Sequence, residues 1–165
     1  MADQPRYKPL SASPFFGDGR SARPLVAGTV PRNSLAEEDL RVPKDAENFP
    51  IPVTRELLER GRERFNIYCS VCHGLLGEGN GMIPRRGFRH PPSYHQDRLR
   101  EAPVGHFYDV ITNGFGAMPD YAAQVAARDR WAIIGYIRAL QLSQHAPARE
   151  LPPEDRARLG GGDPR

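Results

Sequence analysis

Apolar residues recur at three- and four-residue steps in only two long stretches of this chain. Leu58, Gly61, Phe65 and Tyr68 share one face of a helix running from about Thr54 to Tyr68. Thr54 is suited to cap it, and Glu56 lies in its first turn. Ile133, Tyr136, Ile137 and Leu140, with Trp131 near the start, mark a second helix over about 127–141. A glycine inside a helix costs about 1 kcal/mol relative to alanine. Gly61 therefore predicts that the second helix approaches the first closely there. A third helix is expected over about 103–113, ended by Gly114. Residues 74–102 read as loop broken by Pro91 and Pro92, with a short helical turn near 95–100.

Outside these stretches the pattern fades. Residues 1–53 are rich in proline and lack apolar periodicity, but apolar anchors recur in them: Tyr7, Leu10, Phe15, Phe16, Leu25, Val26, Val30, Leu35, Phe49 and Ile51. We read 1–53 as an extended N-terminal docking arm, 54–145 as the folded domain and 146–165 as a disordered, flexible tail. The chain has 165 residues, enough for one domain of ordinary size. Its 17 Pro and 16 Gly require many turns. The net charge of +3 lies in the middle, because the arm and the tail are each close to neutral. A nucleic-acid binder would show a dense basic patch, so that class is excluded. No apolar run approaches the roughly 20 residues of a membrane-spanning helix. No apolar core of the secretory type follows Met1, so the sequence reads as soluble and without an export address.

The chemistry lies at the two cysteines. Cys69-Ser-Val-Cys72-His73 has the spacing for covalent haem attachment. A helical turn puts both thiols where they can reach the two vinyl groups of one porphyrin, and His73 then presents its imidazole to the iron as the proximal ligand. Two other uses compete. A structural zinc site needs four N or S ligands, and no second cysteine pair exists. A redox C-x-x-C or a disulfide leaves His73 without a role. The sixth iron ligand is best sought at Met118, in Asn113-Gly-Phe-Gly-Ala-Met-Pro-Asp-Tyr121. Its glycines permit close backbone approach, and Pro119 stiffens the strap. Met82, in the glycine-rich loop soon after His73, and His90, His95, His106 and His145 are the alternatives. The second ring N–H of His73 should donate to a backbone carbonyl, with Pro84 the first candidate and Met82 and Ile83 close behind.

Residues 54–143 resemble the class I monohaem cytochrome c family. The likeness rests on Gly61-x-x-x-Phe65, Cys69-Ser-Val-Cys72-His73, Met118-Pro119 and the Trp131…Tyr136 helix. It implies an all-α fold of three main helices around one covalently bound haem c, with His73 and Met118 as axial ligands. A six-coordinate iron of that kind carries electrons and has no open position for a substrate, so an electron carrier rather than an enzyme is expected. Gln4-Pro-Arg-Tyr-Lys-Pro-Leu10, Phe16-Gly-Asp-Gly-Arg-Ser-Ala-Arg-Pro24 and Gly28-Thr-Val-Pro-Arg32 are similar to the arm of the monohaem cytochrome subunit of alternative complex III. Arg86-Gly-Phe88, Pro91-Pro-Ser-Tyr-His95 and Asp129-Arg-Trp-Ala-Ile133 share that likeness. It implies a place in a respiratory quinol-oxidising complex on the periplasmic side of the bacterial inner membrane. The partners would be its other subunits, a multihaem cytochrome among them, and redox proteins. Such subunits usually carry a lipid anchor, which this sequence does not contain. The alternative is a freely diffusing or oxidase-tethered periplasmic shuttle, steered to acidic partners by Arg85, Arg86, Arg89, Arg98 and Arg100.

Overall fold

The computed structural model describes residues 6–7, 11–23, 26–29 and 40–160. Residues 1–35 and 36–165 form two separate compact units. The larger is all-α. Its elements are α1 (Arg55–Tyr68), α2 (Ser70–His73), α3 (Asp97–Arg100), α4 (Val104–Asn113), α5 (Ala127–Ser143) and α6 (Pro153–Gly160), with 3-10 turns at Pro84–Arg86 and Ala148–Glu150. Among the described residues there are isolated bridges but no strand.

α1 starts where the side chain of Thr54 accepts a hydrogen bond from the Leu57 N–H. It packs along α5, and the two cross where Gly61 meets the Ala132 carbonyl and the Cβ of Tyr136. A methyl group at position 61 would run into that carbonyl, so the glycine is a packing requirement. Phe65 and Trp131 sit at the centre of the core, both fully buried. Asp129 fastens the crossing further through a two-pronged ion pair with Arg60, both bonds 2.8 Å.

α5 is buried on more faces than its predicted stripe. Ala132 and Ile134 are enclosed as well as Ile133 and Ile137. The cover comes from residues 40–51, which the sequence assigns to the arm. Leu40, Val42, Phe49 and Ile51 pack against the core. The indole N–H of Trp131 donates to the Leu40 carbonyl at 2.8 Å, and Phe49 meets the same ring edge-on at 5.7 Å. The Gly105 N–H at the start of α4 donates to the Ala46 carbonyl at 2.9 Å. The folded domain therefore begins before residue 53, because α5 needs a lid on its outer face.

The expected disordered tail also differs. Residues 153–160 form α6, which begins at a proline, has Glu154 and Asp155 in its first turn and Arg158 in its last. That charge order suits the helix dipole. In the smaller unit, residues 11–23 form a knuckle. Ala12 and Arg20 pair as an antiparallel bridge, and the Ser13 N–H donates to the Gly19 carbonyl at 2.9 Å. Arg23 bonds Asp18 and lies over the Phe16 ring at 4.0 Å. Phe15 projects from the knuckle, 81% exposed, and Tyr7 and Val26 are exposed too. The other anchors named there, Leu10, Leu25, Val30 and Leu35, lie outside the described residues.

Candidate haem site

Cys69 ends α1 and opens α2, its own N–H bonded back to the Phe65 carbonyl at 2.8 Å. The chain continues through one more helical turn, in which the N–H groups of Cys72 and His73 both reach the Cys69 carbonyl. The two cysteines and the histidine thus come off the end of a helix that crosses α5 at Gly61. Both thiols are free and half-buried. Burial pushes the Cys69 thiol up to about 12, with the neighbouring Cys72 adding to the effect. His73 is 8% exposed, and burial lowers its imidazole to about 4, so the ring is neutral at physiological pH. A neutral imidazole is the form that ligates a metal.

The loop after His73 folds back on the motif. The Gly79 N–H donates to the His73 carbonyl at 2.8 Å, that of Gly81 to Cys72 at 3.1 Å and that of Ile83 to Val71 at 2.9 Å. His90 contacts the Gly79 carbonyl at 3.1 Å and His95 the Leu76 carbonyl at 2.7 Å. These two histidines clasp the loop. His145 is exposed, and His106 stands beside Phe107 on α4. Met82 is 53% exposed and lines an outward groove with Leu75, Leu76 and Arg85.

Met118 is half-buried and packs on the same core cluster as Cys69. Its strap is short and tied at several points. The N–H groups of Phe115 and Met118 each donate to the other's carbonyl at 3.0 Å, and the Tyr121 N–H reaches Ile111 in α4 at 2.9 Å. Tyr121 brings the strap to the cysteines: its hydroxyl is pushed up by partial burial first, then by Cys72 and Cys69. Tyr94 is pushed well up for the same reasons, burial first, then Cys69, Cys72 and Tyr121. Cys69, Tyr94, Met118 and Tyr121 thus belong to one packed cluster, beside the buried His73.

The Pro84 carbonyl does not accept from His73: it takes the Gly87 N–H at 3.0 Å, closing the 3-10 turn, and the buried Nδ1 of His73 has no partner. Sequence reasoning also missed Arg130. It is 6% exposed and bonds the Val125 carbonyl at 3.1 Å and the Thr112 hydroxyl at 2.5 Å, joining the two ends of the Met118 strap. The cue was an arginine inside an apolar helical run.

Residues 56–137 match the family model described as "Cytochrome C oxidase, cbb3-type, subunit III". The chain contains a cytochrome c domain of the all-α class I kind, and its cofactor is covalently bound haem c. A solved structure of the Kuenenia stuttgartiensis reducing HAO-like protein complex is 21% identical to it, with a TM-score of 0.48, over 56% of this chain and 47% of that one. The chain thus spans about half the length of that relative, at 47%. No curated protein matches it. The residues present fit a haem c. Two free thiols sit one helical turn apart beside a neutral, buried histidine, and among the described residues no cluster of three or more His, Cys, Asp or Glu competes for a metal. A cytochrome c domain is an electron-transfer domain.

Proposed function

We propose that this chain is the electron-transfer subunit of a membrane quinol-oxidising respiratory complex, with Cys69 and Cys72 as the covalent anchors and His73 and Met118 as the axial ligands. Haem c supplies a one-electron Fe(II)/Fe(III) couple when bound. His73 offers a neutral imidazole held in place by the end of α2. Met118 offers a thioether from a strap held by its own backbone hydrogen bonds, and a sulfur ligand raises the reduction potential. Phe65 and the apolar side chains of α4 and α5 form the buried core against which Cys69 and Met118 pack. Met82 and the other histidines suit ligation less well, Met82 because it faces outward and His90 and His95 because each already holds a carbonyl.

The observation that carries the docking role is the knuckle at 11–23. It is built by its own hydrogen bonds, yet it leaves Phe15 81% exposed. Burying such a ring in a partner contributes about 1.5–3 kcal/mol. The partners are the other subunits of the assembly, a multihaem cytochrome among them, on the periplasmic face of the inner membrane. No described helix is long and apolar enough to cross a membrane. The second reading, a diffusing shuttle, draws on exposed Arg85, Arg86 and Arg89, of which Arg85 shares a groove with the exposed Leu75 and Leu76.

Deletion of residues 1–35 tests the choice. The cut leaves the lid at 40–51 in place, so the truncated protein should load haem c and keep its spectrum. It should no longer co-purify with a multihaem membrane assembly that retains the full chain. If both forms are retained equally, the arm does not dock. If neither is retained, the shuttle reading replaces this one.

A further inference from the structure

The ring of Tyr94 lies flat against the ring of His73, with centroids 4.6 Å apart and planes 11° from parallel. Such a face-to-face contact resists rotation of the imidazole about its Cβ–Cγ bond, because turning would drive the ring edge into the tyrosine face. The usual alternative is a hydrogen bond from the other ring nitrogen. Here His73 Nδ1 is buried without one. Tyr94 is itself held firmly. Its N–H donates to the Gly77 carbonyl at 2.9 Å, and its carbonyl accepts from Gln141 Nε2 at 2.8 Å. Gly77 has φ +78, and a Cβ there would stand 2.7 Å from Tyr94 Cδ2, so the loop has been shaped around this ring. Phe65 and Phe107 flank it, each at 6.3 Å.

We propose that Tyr94 is a positioning residue that sets the plane of the proximal imidazole. This rests on the reading of His73 as an iron ligand. The angle of an axial imidazole decides which iron d orbitals it overlaps, so it is recorded in the magnetic anisotropy of the ferric state. The aromatic face carries this role and the hydroxyl does not. A tyrosine that merely fills space would affect stability and leave the anisotropy alone.

The test uses the full-length, haem-loaded protein and three variants: Tyr94→Phe, Tyr94→Leu and Tyr94→Met. The last is a flexible filler in case leucine prevents folding. Ferric low-temperature electron paramagnetic resonance gives the g-values, and heating gives the unfolding midpoint. Phe should keep the wild-type g-values, whereas Leu or Met should shift or broaden them. Unchanged g-values in Leu or Met with a lowered midpoint would overturn the proposal and leave a packing role. Shifted g-values in Phe would overturn it too, by assigning the effect to the hydroxyl. Protein labelled with nitrogen-15 histidine separates the two layers. Histidine nitrogen coupled to the iron in wild type supports the ligand reading even where Tyr94 fails, and its absence overturns both.

Discussion

The two walls of the proposed haem site are built in opposite ways. On the histidine side the ligand candidate sits at the end of a helix, three bonded turns from a packed crossing, with two free thiols beside it. On the methionine side the ligand candidate sits in an irregular strap between α4 and α5, held by a bridge and by Arg130 at its two ends. The first wall derives its rigidity from helix packing, and its geometry survives local changes. The second depends on a few polar contacts, each of which can be removed alone. A strap of this kind can open while the helices stay folded, since local opening costs less than global unfolding where few apolar contacts are lost.

Met118→Ala should break the comparison most completely. Haem c should remain attached, because both thioethers are on the other wall. The sixth position should be vacated, the ferric sulfur-to-iron band in the far red should vanish and the reduction potential should fall. Spectra and potentiometry check this. If all of these match wild type, the strap does not supply the ligand and Met82 or a histidine does.

Arg130→Gln should act next most strongly, and on the strap before the helices. It removes hydrogen bonds from a charged donor to Val125 and Thr112 and a cation held 4.8 Å above the Tyr108 ring. Bonds to charged groups are worth about 1.5–3 kcal/mol each. The far-red band should be lost on heating well below the midpoint read by circular dichroism, opening a gap that wild type lacks or shows only narrowly. Coincident loss of both signals would place Arg130 in the general core and would remove the distinction between the walls.

The two walls were also unequally legible. Cys69, Cys72 and His73 form a local motif whose spacing is itself the chemistry, and Gly61 announced the helix crossing. Met118 is singled out only by its setting between glycines and a proline, and its ligand role rests on that setting. Tyr94 carried no local sign of its contacts and Arg130 only its place inside an apolar helical run, since each meets its partner through the tertiary fold. The lid at 40–51 was hidden for a related reason. Its central contact is the Leu40 carbonyl under Trp131, and a main-chain carbonyl has no residue type to read. Proline and glycine near the C-terminus obscured α6 because composition outweighed the local order of its charges.

Thr54→Ala should have the smallest effect, and it should act on both walls alike. The Thr54 hydroxyl oxygen accepts from the Leu57 N–H at 3.2 Å, satisfying one of the free donors at the start of α1. Losing such a cap costs about 1 kcal/mol. The site is at the far end of α1 from Cys69, so the ligands themselves are untouched. The far-red band and the helical signal should therefore shift together by the same few degrees, and the reduction potential should not move. Acid modulates the effect. The Glu56 carboxyl is held below its ordinary 4.5, first by its own N–H and then by the Thr54 hydroxyl. A carboxyl with a lowered value adds stability above its unfolded value and loses it as pH falls through the folded one. The variant should thus differ from wild type most above about pH 4.5 and less below it. Thermal melts at neutral and acidic pH check both points. An effect confined to the far-red band would mean that α1 transmits strain to the strap and that the two walls are not independent.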